Sequence, residues 1–327
     1  MPLSNMNRIK QFTAKYLLMQ RYTIERVLAD ALYGNVLHCV DKNSTRDVAI
    51  KRMDQSSTAP LALVDRVAAD DVVFEKLVHE QLKAQGGHDH LLTADESFVE
   101  DGWDHLVFEL CPNGELYDAV VNSPTGYLDL DSARRYMRQI ASGVTFMHKL
   151  GFAHRDLSLE NVLLDADDNC RICDFGLAAH VDTRRTEIVG KPFYMAPEVW
   201  AGLSYDATLA DVWSLGIMLF MMLSGAPMFD TASETDNRFA FLKTNGLDEL
   251  VQAWEIAECF DAQSLSLLGQ MLEIDPAKRI PLAKVLEHPF LQDVKLDEME
   301  PTTVDDDVVV QTKGKSHSCR QPSLVVL

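Results

Sequence analysis

Apolar and polar positions along the chain follow two different periods. From Tyr22 to about Lys51, Val27, Leu28, Val36, Leu37, Val40, Val48 and Ile50 are separated by the turn formers Gly34 and Asn35 and by the stretch from Asp41 to Ser44. This pattern predicts a twisted hairpin sheet. Next, Phe74, Leu77, Val78 and Leu82 recur at helical spacing, with Asp70 or Asp71 as the expected cap and Gly86-Gly87 as the stop. More strand character appears near His105 to Leu110. Asp131 or Ser132 then opens a helix whose Tyr136, Ile140, Val144 and Met147 form one stripe, and most of the chain to Phe290 reads as helix. The expected fold class is α+β: a small β-rich half and a large, mainly helical half, with a cleft between them where a ligand can sit. No internal repeat is visible.

Two segments invite other readings. The first 24 residues carry Arg8, Lys10, Lys15 and Arg21 without an acid, and Ile9, Phe12, Tyr16 and Met19 fall at helical spacing. A short amphipathic helix packed on the body is favoured over a mitochondrial presequence. Val212 to Phe229 contains no charge, but Ser214, Gly216, Ser224, Gly225 and Pro227 interrupt it, so a buried core helix is expected and not a transmembrane segment. Residues 291–327 cluster acids at Asp297, Glu298, Glu300 and Asp305 to Asp307 before Lys313, Lys315 and Arg320 reverse the sign, which reads as a mobile tail.

The 327 residues are 47% apolar, enough for a substantial core, and 30 Lys+Arg against 50 Asp+Glu give a net charge of −20. A charge of that sign disfavours nucleic acid as the main partner. Six irregularly spaced cysteines do not form a disulfide framework, so a reducing, cytoplasmic setting is expected. Cys170 and Cys173 have a CxxC spacing, but no second pair follows and zinc is not expected.

The chemistry is concentrated in three stretches. His154-Arg155-Asp156-Leu157-Ser158-Leu159-Glu160-Asn161 is followed, after the strand-like Val162 to Leu164, by Asp174-Phe175-Gly176. Two carboxylates and an amide on loops tied to one hairpin suit a divalent cation with phosphate, because Mg²⁺ takes oxygen ligands and leaves positions open. Upstream, in Val48-Ala49-Ile50-Lys51, strand alternation puts Ala49 and Lys51 on one face. A flat ring could rest on Ala49 while Lys51 reaches phosphate.

These stretches, with Ala196-Pro197-Glu198 and Asp211-Val212-Trp213-Ser214-Leu215-Gly216, resemble the signature set of the eukaryotic-type protein kinases, over about residues 22–290. The resemblance implies a bilobal fold, with an N-lobe over about 22–110 and a C-lobe over about 111–290 following an N-terminal extension of 1–21. It further implies transfer of the γ-phosphoryl group of ATP, with Mg²⁺, to a serine or threonine of a protein. By the same similarity Asp156 would accept the substrate's hydroxyl proton, Asn161 and Asp174 would hold Mg²⁺, and Lys51 would grip the α and β phosphates. The partner of Lys51 is Glu75 or Glu80; Glu75 is favoured because its +3 and +7 neighbours, Val78 and Leu82, are apolar. That choice puts His79, tucked or half-exposed, where relatives place an apolar residue. The nucleotide site would be framed by Leu28, Gly34, Val36 and Ala49 and by Phe108-Glu109-Leu110-Cys111, with Phe108 as gatekeeper and the Glu109 and Cys111 backbones on the adenine edge. Glu115 borders this site and, with Glu160, matches positions that receive a basic substrate residue. Arg155 resembles the arginine that pairs with a phosphate on the activation segment, Asp174 to Glu198; Thr186 is the first candidate for an upstream activating kinase and Thr183 the second, while Glu187 could supply charge unmodified. Glu198 would pair with Arg279.

Departures from the family pattern leave a second reading open. Ala29 and Ala31 replace two glycines of the nucleotide loop, and because alanine restricts positive φ and close backbone approach, weakened nucleotide binding is expected. Ser158 stands where serine/threonine kinases usually have lysine, and Lys191 of Gly190-Lys191-Pro192 where they have threonine. The two residue types look exchanged between positions that touch in the family fold, which makes Lys191 a candidate catalytic cation. The alternative is a pseudokinase scaffold without phosphotransfer. The presence of Lys51, Asp156, Asn161 and Asp174 favours the enzyme.

Overall fold

The computed structural model describes residues 18–31, 34–55 and 72–292. A single turn of helix, α1 (Leu18–Arg21), leads into β1 (Tyr22–Ala31), β2 (Gly34–Asp41) and β3 (Asp47–Asp54), then helix α2 (Val72–Ala84), β4 (Glu96–Glu100) and β5 (Trp103–Glu109). The five strands form one antiparallel sheet in the order β1-β2-β3-β5-β4. Alternation along β3 divides its side chains as expected. Val48 and Ile50 join Tyr22, Leu37, Cys39, Phe98 and Val107 on one face, and Ala49 and Met53 join Leu106, Phe108 and Cys111 on the other. Arg21 pins the entry of the chain by ion pairs to Asp41 (2.7 Å) and Glu96 (2.8 Å). The helix expected around Ile9, Phe12 and Tyr16 lies outside the described residues.

Helix α2 departs from its expected face. Val72, Glu75, Val78, His79 and Leu82 are buried, whereas Leu77 is 37% exposed. Two polar side chains therefore lie on the packed face, because the helix faces Lys51 on the central strand β3 as well as apolar neighbours. The proposed caps Asp70 and Asp71 lie outside the described residues. The stop is as expected: Gly87 N–H closes on the Leu82 carbonyl (3.0 Å), with both glycines at positive φ.

The second half comprises α3 (Leu116–Val121), α4 (Leu130–Lys149), the short strands β6 (Phe152–Ala153), β7 (Val162–Leu164), β8 (Cys170–Ile172) and β9 (Ala179–His180), and helices α5 (Pro197–Trp200), α6 (Ala207–Ser224), α7 (Asn237–Asn245), α8 (Leu247–Ala253), α9 (Ala262–Met271) and α10 (Leu282–Glu287). Asp129, not Asp131 or Ser132, caps α4; its carboxylate accepts from the N–H groups of both (3.0 and 2.9 Å). The stripe Tyr136, Ile140, Val144 and Met147 is buried as expected. Helix α6 has the length and hydropathy of a membrane span, yet 83% of it is buried among the surrounding helices, so it is the core of this lobe. The packed body runs through Leu291, one residue past the expected limit: Arg134 and Arg138 donate to the carbonyls of Phe290 (2.8 Å) and Leu291 (2.7 Å). The remainder of the expected tail, 293–327, lies outside the described residues.

Candidate active site

Three elements far apart in sequence meet at Lys51. Its ammonium, projecting from β3 into the cleft, donates to both Glu75 oxygens (2.8 and 3.0 Å) and to Asp174 Oδ1 (2.9 Å). Burial opposes the charge on Lys51, but the two carboxylates outweigh it and hold the ammonium above the ordinary lysine range; burial likewise opposes Glu75 and Asp174, and Lys51 keeps both ionised. Glu80 is exposed on the opposite face of α2, so the choice of Glu75 agrees with the geometry. His79 is buried, at 3% exposure, and not half-exposed. Its Nδ1 accepts from Ala94 N–H (3.3 Å), its ring lies against Phe108 (5.3 Å) and Phe175 (5.0 Å), and its Nε2 is 3.9 Å from Glu75.

The loop from His154 to Asn161 is held from below by Asp211 of α6. Its carboxylate accepts from the N–H groups of His154 and Arg155 and from His148 Nε2, each at 2.8 Å. These bonds support an Arg155 backbone at φ 67°, and Asp174 sits at φ 63°. Such conformations cost about 1–3 kcal/mol each and persist where the surroundings impose them. Asp156 N–H donates to His154 Nδ1 (3.2 Å), which leaves Nε2–H to donate to the Cys173 carbonyl (3.1 Å) and links the loop to the strand before Asp174. The Asn161 amide donates to the Asp156 backbone and side chain, both at 2.7 Å, so its Oδ1 faces away from Asp156. Burial raises Asp156 above the usual carboxylate range, partly offset by Lys191, His154 and Asn161. Oδ1 of Asn161 and the carboxylate of Asp174 are hard oxygen donors that fit Mg²⁺.

Lys191 reaches this group from the activation segment. Its ammonium donates to Ser158 Oγ (2.6 Å), lies 3.4 Å from Asn161 Oδ1 and 3.9 Å from Glu160. Thus Ser158 and Lys191 touch, as their exchanged identities suggest. Glu160 also accepts from the Tyr194 hydroxyl (2.9 Å), a tie that sequence spacing did not reveal. Glu115 begins α3 half-buried, and burial with Asp118 and Glu160 nearby raises its pKa.

Val36 pairs with Lys51 across β2 and β3 and Ala49 with Phe108 across β3 and β5, Leu163 and Cys173 of the lower lobe pack against the same cluster as Ala49, and Leu28 is exposed on β1. Burial pushes the Cys111 thiol up to about 12, and Glu109 is tied to Arg171 (3.2 Å). One expectation about residues 29–34 needs correction. Ala29 and Ala31 lie in extended backbone opposite Val36 and Gly34, so restricted positive φ is not what they impose. Gly34 is required by the sheet, since a Cβ there would lie 1.8 Å from the Arg52 carbonyl oxygen.

Glu187 of the activation segment lies 3.6 Å from Arg155, and its carbonyl accepts from the Tyr205 hydroxyl (2.9 Å). Thr183 and Thr186 are exposed. Glu198 and Arg279 form a buried bidentate pair (2.6 and 3.0 Å). Cys170 and Cys173 are free thiols, and among the described residues no cluster of metal-binding side chains appears. Lys76 of α2, paired with Asp104 of β5, was not singled out in the sequence; nothing local marks two residues 28 positions apart as partners.

Residues 22–291 match the family model described as "Protein kinase domain". Among curated proteins, the serine/threonine-protein kinase PLK4 of Xenopus laevis is 33% identical over 274 residues, covering 83% of this chain and 27% of that protein. The maternal embryonic leucine zipper kinase of Xenopus tropicalis is 32% identical (84% and 39%), and the CBL-interacting protein kinase 2 of Oryza sativa subsp. japonica 31% (84% and 59%). The chain thus spans between 27% and 59% of the length of these relatives. A family match over nearly all the described residues agrees with a lysine, two acids and an amide gathered between a five-stranded sheet and a helical lobe: the chain belongs to the protein kinase family.

Proposed function

We propose that the chain is an active protein serine/threonine kinase that uses ATP and Mg²⁺. The observation that carries this reading is the meeting of Lys51 with Glu75 and Asp174 (2.8–3.0 Å), beside an Asp156 held by Asn161 at 2.7 Å. In the proposed reaction a serine or threonine oxygen bonds to the γ-phosphorus, the bond to the bridging oxygen breaks, ADP leaves with that electron pair, and the hydroxyl proton passes to Asp156. Lys51 orients the α and β phosphates. Asp174 and Asn161 would hold Mg²⁺, which when bound neutralises phosphate charge. A pseudokinase is the weaker reading, because no member of this polar set is missing.

A substrate with a basic residue near the phosphorylated hydroxyl is proposed from Glu115 and the charge of −20. Glu160 supports it less, since Tyr194 and Lys191 already engage its carboxylate. Thr186 is proposed as the site for an upstream kinase, although Glu187 beside Arg155 supplies negative charge without modification. A cytoplasmic setting, without nucleic-acid partners, belongs to the same proposal.

The test is transfer of γ-phosphate to a Lys/Arg-containing serine peptide. Asp156→Asn is expected to lower turnover by about 10²–10⁴-fold while leaving Mg-ATP affinity nearly unchanged. Absence of transfer by the unmodified chain, or full activity of Asp156→Asn, would overturn the reading.

A further inference from the structure

We propose that Lys191 is the cation that stabilises the transferring phosphoryl group, and that its place on the activation segment makes the catalytic site complete only while that segment is docked. The proposal rests on the kinase reading above and adds a catalytic residue and a consequence for control.

The cations near Asp156 are differently engaged. Lys51 is saturated by two carboxylates within 3.0 Å. Arg155 is turned toward Glu187. Lys191 instead has a hydroxyl at 2.6 Å, an amide oxygen at 3.4 Å and a carboxylate no closer than 3.9 Å, and its side chain is 34% exposed. Its ammonium is thus aimed by neutral groups, with Glu160 at 3.9 Å and no carboxylate in direct hydrogen-bond contact, which leaves it able to take an anion. Without it, Asp156, Glu160 and Glu115 would leave the place where the phosphoryl group is transferred lined by acids alone, with no charge to offset what develops there during transfer. Ser158, fully buried, supplies the oxygen that aims the ammonium and also accepts from Asn161 N–H (3.3 Å), so cation and metal-binding amide share one anchor.

The backbone on both sides of Lys191 is clamped to the catalytic loop. Gly190, at φ 98°, lies so close that a Cβ there would be 2.8 Å from the Arg155 carbonyl oxygen. On the other side, the Tyr194 hydroxyl donates to Glu160 and accepts from Leu159 N–H (3.4 Å), and Ser214 of α6 donates to the Tyr194 carbonyl (2.9 Å). Asp156 and Asn161, by contrast, are held by bonds within their own loop and to His154. Undocking the segment would therefore withdraw the cation while the proton acceptor and metal-binding amide stayed in place. A lysine on the catalytic loop itself would not be withdrawn in this way.

The experiment is an exchange. Turnover, Mg-ATP affinity by titration calorimetry, and melting temperature are measured for Lys191→Ala, Lys191→Thr, Ser158→Lys and the double variant Ser158→Lys/Lys191→Thr. Lys191→Ala is expected to lower kcat by about 100-fold or more with affinity changed by less than about threefold. Ser158→Lys alone, which places two ammonium groups together, is expected to be impaired as well. The double variant is expected to recover at least about tenfold over Lys191→Thr, a sign of coupling that a structural role for either residue would not produce. Lys191→Ala within about twofold of the unmodified kcat, or a stable double variant no faster than Lys191→Thr, would overturn the proposal. Should the double variant melt early, the Lys191→Ala measurement decides alone. A wild-type chain that transfers no phosphate would instead overturn the kinase reading, so the two failures are distinct.

Discussion

The two lobes are fastened by different means. The C-lobe is organised around α6, a helix whose apolar side chains point in nearly every direction into the core, with polar ties such as Asp211 and the Glu198–Arg279 pair buried against it. The N-lobe has two small apolar clusters, and polar contacts tie α2 to the sheet and to the segment before β4: Glu75 to Lys51, Lys76 to Asp104, and His79 to the Ala94 backbone, while Val78 and Leu82 pack into the cluster of the C-lobe. Apolar packing is non-directional and tolerates small shifts, whereas a charge pair loses much of its effect when one partner moves. The lower wall of the cleft is therefore a fixed platform, and the upper wall keeps Lys51 in place only while its tethers hold.

The largest effect is expected in the platform. Glu198→Ala would leave the Arg279 guanidinium, fully buried at 0% exposure, without its carboxylate and should destabilise the protein by about 3–5 kcal/mol in urea unfolding. A loss near zero would show that the C-lobe does not depend on this pair. Lys76→Met should have a smaller and more local effect. It strips Asp104 of its ammonium while leaving Gln55 as a partner (2.9 Å), and should lower N-lobe stability by about 1–3 kcal/mol. Amide exchange in α2 should accelerate while α6 remains unchanged; uniform acceleration would dissolve the distinction between the lobes.

The smallest effect concerns pH. Burial pushes His105 of β5, stacked on Phe98 (4.6 Å), down to about 4. Its unfolded counterpart titrates near 6.5, so between about 6.5 and 4 the unfolded chain takes up the proton first and stability falls as the pH falls. Asp211 behaves differently: burial opposes its charge, but His148 and its backbone donors keep it ionised below its ordinary value of 3.8, so its contribution is lost only under more acid conditions. His105→Phe should therefore flatten the decline in stability between pH 6.5 and 4, with His88 and His90 retaining a share. An unchanged slope would show that His105 is not an acid-sensitive point of the N-lobe.

The chemistry of the cleft was legible because it is written in short, rigid stretches. Strand alternation put Lys51 on the cleft face, helical periodicity separated Glu75 from Glu80, and the spacing of Asp156, Asn161 and Asp174 on one hairpin kept them together. Periodicity failed at Leu77 and His79, because it counts apolar residues and cannot foresee that α2 faces a charged side chain on the central strand of the sheet. Similarly, Asp129 replaced the expected caps of α4, a shift of two residues that depends on where the incoming loop turns.

Sequence alone determined the inventory: a lysine on a strand, acids and an amide on a hairpin, and an exchange of residue type between positions 158 and 191. Only the tertiary structure decided how tightly each charge is engaged, such as Lys51 held by two carboxylates within 3.0 Å and Lys191 left one-third exposed with its nearest carboxylate at 3.9 Å. The reason is geometric. Local spacing fixes the face on which a side chain emerges, but electrostatic compensation depends on distances of a few ångströms between residues tens of positions apart, and those are set by packing and strand register.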